Sequence, residues 1–242
     1  MRTIKITALA FVLALALVSQ VQAEDMGHDM AKEHGGQTFH MFRLETDYGG
    51  SRDGAIGTWD LDGWIGTDEN KLWIKSEGDQ KKGTLEDTEF WALYSRNIST
   101  FWDAQAGIRQ DTKPTSLTYA TFGFIGLAPY WFETEAHLFI SNKGDVSARL
   151  REENDFLITQ KLILQPYAEL NLYAQDVSAR GVGAGLSEGK IGLQTRYEFK
   201  RKFAPYINVE YGRKFGETSS IAESNGENND ELIGAVGLRL MF

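Results

Sequence analysis

The chain has 242 residues, with 34 acidic against 25 basic side chains, a formal charge of −9 and no cysteine. That acidity argues against a nucleic-acid partner, which needs a basic footprint. The missing cysteine excludes disulfides, thiolate nucleophiles and cysteine-based zinc sites.

Reading from the N-terminus, Arg2 and Lys5 precede an apolar run from Ile6 to Val18, and Val21-Gln22-Ala23 fits a small-residue cleavage site. This is the pattern of a cleaved signal peptide over residues 1–23, and the run is too short for a membrane span. Without Arg2 and Lys5 the formal charge goes from −9 to −11. Residues 24–37 are polar, contain Gly27, Gly35 and Gly36, and hold no sustained period, so a flexible periplasmic arm is expected. Three of the four histidines, His28, His34 and His40, lie between residues 26 and 41 together with Met26, Met30 and Met41. Thioethers are soft donors suited to Cu(I), and imidazole serves Cu(I) and Cu(II) alike. Exposed thioethers do nothing for solubility, so the compact Met26-Gly27-His28-Asp29-Met30 points to metal binding. An arbitrary polar tail is the plain alternative.

From Thr38 onward, alternating runs of about ten residues repeat to the end, separated by Gly, Asn, Asp and Ser clusters. Twelve strands are expected: Phe39–Tyr48, Thr58–Gly66, Lys71–Gly78, Thr84–Ser95, Phe101–Asp111, Leu117–Leu127, Tyr130–Ser141, Val146–Asp155, Lys161–Gln175, Lys190–Phe199, Pro205–Phe215 and Glu231–Phe242. The last is the cleanest. Leu232, Gly234, Val236, Leu238, Leu240 and Phe242 share one face, and Ile233, Ala235, Gly237, Arg239 and Met241 share the other. Links near Ala128, Phe156–Gln160 and Lys200–Ala204 read as tight, whereas Ser76–Glu86, Gln175–Ser187 and Gly216–Asn229 read as long polar loops. Short turns alternating with long loops suit an all-β, transmembrane, antiparallel up-and-down barrel over residues 38–242, in a Gram-negative outer membrane with both termini periplasmic.

The second faces carry charge: Asp60, Asp62, Glu133, Glu135, Arg149, Arg151, Glu169, Arg196, Glu198, Glu210 and Arg239. At membrane depth such groups belong in a wet or paired interior. They read as networks bracing a narrow lumen or as a permeation path. His137, with Glu133 and Glu135 four and two residues before it, is either a brace or part of a lumenal cation path. Enzymatic chemistry finds little support. No serine accompanies His137 on a lipid-facing wall, which leaves a barrel lipid hydrolase as a remote reading. Gly181-Val182-Gly183-Ala184-Gly185 precedes a strand with no following helix, so it reads as a mobile outer loop rather than a phosphate cradle.

Eight segments carry a likeness to a known family: Asp62-Gly63-Trp64-Ile65-Gly66, Asn70-Lys71-Leu72-Trp73-Ile74-Lys75-Ser76-Glu77-Gly78, Leu93-Tyr94-Ser95-Arg96, Phe101-Trp102-Asp103-Ala104-Gln105-Ala106-Gly107, Gly126-Leu127-Ala128-Pro129-Tyr130-Trp131-Phe132-Glu133, Gln160-Lys161-Leu162-Ile163-Leu164-Gln165-Pro166, Ala179-Arg180-Gly181-Val182-Gly183 and Phe203-Ala204-Pro205-Tyr206. In this order, from about residue 38 to the end, the chain resembles the copper resistance protein B (CopB/PcoB) outer-membrane proteins. The resemblance implies a Met/His-bearing periplasmic arm ahead of an outer-membrane barrel, a role in tolerating excess copper, and a periplasmic multicopper oxidase as companion. Carried onto this chain, it implies copper ligands among Met26, His28, Met30, His34, His40 and Met41, and no catalytic residues. The arm is far shorter than in many members, which favours capture or hand-off of copper over storage. Export through the barrel, and a closed barrel that only docks the oxidase, both remain open.

Overall fold

A computed structural model describes residues 37–242. The expected signal peptide and the arm residues Met26, His28, Met30 and His34 lie outside the described residues.

Period-two alternation makes one face of each strand apolar, and closing the sheet pairs every edge. Thirteen strands result: β1 (Phe39–Ser51), β2 (Gly54–Gly66), β3 (Asn70–Lys81), β4 (Thr84–Ser99), β5 (Trp102–Lys113), β6 (Leu117–Ala128), β7 (Phe132–Ser141), β8 (Val146–Glu153), β9 (Phe156–Leu157), β10 (Leu162–Tyr173), β11 (Gly185–Tyr197), β12 (Phe203–Lys214) and β13 (Asp230–Met241). One helix, α1 (Gly216–Ser224), lies between β12 and β13. Each strand pairs antiparallel with its sequence neighbour, except that the two-residue β9 is a side branch on β10, which pairs β8 and β11. β1 pairs β13 from Arg43↔Met241 to Gly50↔Gly234, and the ring closes at twelve spanning strands. The Phe242 N–H adds a bond of 2.9 Å to the Phe42 carbonyl. At about 3.3 Å per residue a twelve-residue strand is about 40 Å long, and tilted by about 40° it crosses about 30 Å, the thickness of a bilayer core.

The wall faces follow the alternation. Ile108, Phe122, Phe124, Ile191, Ile207, Leu232 and Val236 stand exposed on the outside, whereas Asp62, Arg109, Glu169, Arg196 and Arg239 are buried inside. Exposed apolar groups of this number are tolerated only against acyl chains. Among the described residues no helix is long and apolar enough to cross a membrane.

Three expectations need correction. Ser76–Glu86 is not a loop: β3 and β4 run through it to a two-residue turn at Lys82-Gly83, both with positive φ (52° and 82°). Its polarity misleads because Glu77, Asp79 and Lys81 lie on the inner face with Lys75, where strands carry charge. Long links on the side away from the termini are therefore two, residues 174–184 and 215–229, and the second contains α1. Tyr130 does not open a strand. Pro129–Trp131 is a 3-10 turn in which Tyr130 and Trp131 take φ of 68° and 65° and stand 87% and 70% exposed. The glycine-rich Gly181–Gly185 segment is pinned rather than free. Val177 and Val182 form a β-bridge, and the Gly183 N–H donates to Thr218 Oγ1 at 3.0 Å.

Candidate functional site: the charged lumen and its ends

The inner face divides into two unlike halves. Along β3–β7 the inward residues Trp73, Trp91, Leu93, Leu117, Tyr119 and Phe139 form one buried cluster. Trp91 meets Phe139 edge-on with ring centroids 5.1 Å apart. The Arg109 guanidinium lies 4.7 Å from the Phe139 ring centroid. It donates to Asp111 from Nε (2.7 Å) and Nη2 (2.8 Å), and to Glu89 at 2.5 Å. Charges this deeply buried persist only when paired and hydrogen-bonded, as these are.

His137 belongs to this packed half. It is 4% exposed, its Nε2 sits 2.8 Å from Gln105 Oε1, and its ring meets Trp91 edge-on at 5.2 Å. Its Nδ1 is 4.0 Å from Glu135 Oε2. The ring lies across Gly123 on the neighbouring strand, where a Cβ would fall 2.4 Å from His137 Cδ2. Glycine there makes room for the imidazole, in the way an aromatic covers a cross-strand glycine.

The other half, β8 to β2 through β13, is ionic. Arg149 donates to Glu77 (3.3 Å) and Glu89 (2.9 Å), and Arg151 to Glu169 (2.9 Å), Glu77 (3.2 Å) and Asp60 (3.5 Å). Arg43 reaches Glu153 at 3.2 Å; within β3–β7 itself, Lys75 reaches Glu135 at 2.5 Å. Arg239 pairs with Glu45 and donates to Gln165 (2.8 Å) and Gln194 (3.1 Å). These bonds join β1 to β8 and β3 to β7, walls far apart around the ring, so they bridge the lumen. Of Glu133 and Glu135, singled out with His137 as a cation column, Glu135 stays within 4.0 Å of the imidazole, whereas Glu133 does not share its surroundings. Both carboxylates border a cavity of about 230 Å³ with Ile125, Leu127, Arg151 and Glu153, at the end where β1 begins and β13 ends. Glu133 faces Glu153 directly in register.

Of the sequence-predicted copper ligands, two lie within the described residues. His40 is exposed on the β1 face that carries Phe42 and Leu44, whereas Met41 shares the inner face with Arg43. Successive strand residues point to opposite faces. The structure therefore does not bring these two donors together. Among the described residues no group of three or more His, Cys, Asp or Glu is arranged to hold a metal ion.

At the far end, outside the spanning strands, Asp53 accepts a bond from Asn228 at 2.9 Å, and this bond, with Lys81 and Arg52 nearby, holds its carboxyl below the usual value. Arg180, from the loop after β10, forks onto Asp111 and Asp87. Sequence reading missed Arg180, Arg43 and Lys75. The basic residues Lys71 and Lys75, alternating with Leu72 and Ile74, were the visible signal for Lys75; Arg180 was visible only within the family-like segment 179–183, and its partners were not, because it sits in a loop.

The family described as "Copper resistance protein B precursor (CopB)" matches residues 37–242. The chain belongs to the copper resistance protein B family. It is 43% identical over 186 residues to "Copper resistance protein B" of Escherichia coli, covering 76% of this chain and 63% of that one. It is 42% identical over 193 residues to a "Copper resistance protein B homolog" of Pseudomonas syringae pv. tomato (strain ATCC BAA-871 / DC3000), covering 79% and 66%. This copper resistance protein B member thus spans just under two thirds of the length of these relatives. In fold it is similar to the NanC porin (TM-score 0.58, 14% identity, 81% of this chain and 98% of that one) and to the KdgM porin (0.53, 11%, 83% and 99%). These likenesses concern architecture alone. Together with the apolar outer wall they make the chain an outer-membrane β-barrel.

Proposed function

We propose that this copper resistance protein B member captures copper at the periplasmic face of the outer membrane, after removal of residues 1–23, through its arm of residues 24–37. Met26, His28, Met30 and His34 are the principal ligands, copper being the cargo in either oxidation state, and His40 or Met41 contributes one further donor. The observation carrying this reading is the concentration of three of four histidines and three of five methionines between residues 26 and 41. The arm is covalently continuous with β1, so the barrel tethers it to the membrane. No step of this function is catalytic.

The ion pairs bridging the lumen favour a closed barrel over a permanently open export path. They also support the companion reading, in which the barrel is an anchor and copper passes from the arm to a periplasmic multicopper oxidase. In that case His137 is a brace, held by Gln105 and Trp91. Metal analysis of the purified barrel with and without residues 24–37 tests the proposal. Deletion is expected to remove most bound copper and leave the barrel folded. Unchanged copper stoichiometry overturns the arm as the capture site.

A further inference from the structure

The loop of residues 174–184 leaves one wall of the barrel and is fastened to the opposite one. In the ring of twelve spanning strands, β4 and β5 are the fourth and fifth, whereas β10 and β11 are the ninth and tenth. A segment tying these pairs together must cross the mouth. Arg180 makes the tie. Its Nη1 donates to the Asp111 carboxylate and, at 3.4 Å, to the Tyr119 hydroxyl, while Nη2 donates to Asp87 Oδ1 at 3.3 Å. The Thr115 hydroxyl donates to the Ala179 carbonyl at 2.9 Å, and Val177 is buried. The loop after β12 clasps the same segment: Gly183 bonds Thr218 of α1, and a Cβ on Gly183 would fall 2.4 Å from Glu217 Cβ.

We propose that residues 174–184 form an outer gate with Arg180 as its latch, closing the lumen against the exterior and exposing Asp87, Glu89 and Asp111 to external water when released. Two features distinguish a gate from a fixed plug. Asp111 is also held by two bonds from Arg109, so withdrawal of Arg180 leaves no buried carboxylate unpaired, which is the event that makes breaking an internal ion pair so costly. Gly181 and Gly185, at φ of 67° and 95°, follow the latch as joints that bear no side chain. The inference stands on the loop geometry and is independent of copper capture.

The absence of native cysteine makes the test direct. Leu117→Cys places a thiol at a buried inward position near Thr115, at the gated mouth, and Leu127→Cys places one beside the cavity at the other end. Reaction of each with a membrane-impermeant maleimide is followed on the detergent-solubilised, folded barrel. Arg180→Ala is expected to speed labelling at position 117 by about tenfold, the effect of a lowered local opening free energy, and to leave position 127 unchanged. Arg180→Lys, which keeps the charge but loses the fork, should fall between. Asp111→Asn removes the partner charge instead and must act in the same direction if Arg180→Ala does not fold. Unchanged labelling at 117, fast labelling already in the parent, or an equal rise at 117 and 127 each overturns the latch.

Discussion

The two halves of the lumen solve one problem by different means. Both must fill the inside of a closed cylinder with side chains that alternate with lipid-facing ones. Along β3–β7 much of the filling is aromatic, and the charges within that cluster are sealed in: Asp111 is 0% exposed and held by two arginines. Along β8–β2 the filling is a lattice of arginines and carboxylates, in which Arg196, Arg239 and Glu169 are buried while the Asp60 side chain remains 33% exposed at mid-wall. The first half resembles the core of a soluble protein. The second resembles the lining of a narrow, braced pore. The difference teaches where rigidity comes from: packing and sealed pairs set β3–β7, whereas adjustable ion pairs set the rest.

The comparison is sharpest at Phe139. If β3–β7 is a dry core, Phe139→Ala leaves a cavity beneath Trp91 and Arg109 and costs about 3–5 kcal/mol, read from urea unfolding in micelles. A loss below about 1 kcal/mol would mean that water already fills that half. A smaller effect is expected from Gly123→Ala, whose new methyl group meets the Ala136 carbonyl oxygen and the His137 ring, each at 2.4 Å. Relieving both contacts costs about 1–3 kcal/mol in the same assay, and Gly123→Ala combined with His137→Ala should recover only the part due to the ring. The smallest change belongs to the wet half. Asp60→Asn weakens a pair at 3.5 Å to a carboxylate still one-third exposed, and a loss under about 1 kcal/mol is expected. A loss as large as that of Phe139→Ala would erase the distinction between the halves.

The hairpins were legible wherever alternation was clean. β13 and β7 show the inward and outward sets read from sequence, since each strand's facing depends only on its own residues. Ser76–Glu86 misled because polar composition is shared by loops and by lumen-facing strand ends, and only pairing with β4 separates them. Gly181–Gly185 misled in the opposite sense: glycine signals freedom of the backbone but equally permits the close approach to Glu217 that pins it. His137, Glu133 and Glu135 were correctly placed on one face of one strand. Their different settings, a packed imidazole with Glu135 beside it and a cavity-lining Glu133, came from neighbours on other strands: Gln105, Trp91 and Gly123 around the ring, Lys75 on Glu135, and Glu153 opposite Glu133.

By itself the amino-acid order determined the two-faced strands, their approximate number, the family, and the clustering of soft donors ahead of β1. A repeat of two residues is local, and each strand carries it whole. Tertiary structure alone decided which inward charges meet, which half of the lumen is dry, and that one loop crosses the mouth to Asp111. Many of the partners concerned stand far apart along the chain, 60 positions for Lys75 and Glu135 and 110 for Arg43 and Glu153. Only closure of the cylinder, which sets strand order and stagger around the ring, brings such residues within hydrogen-bonding reach.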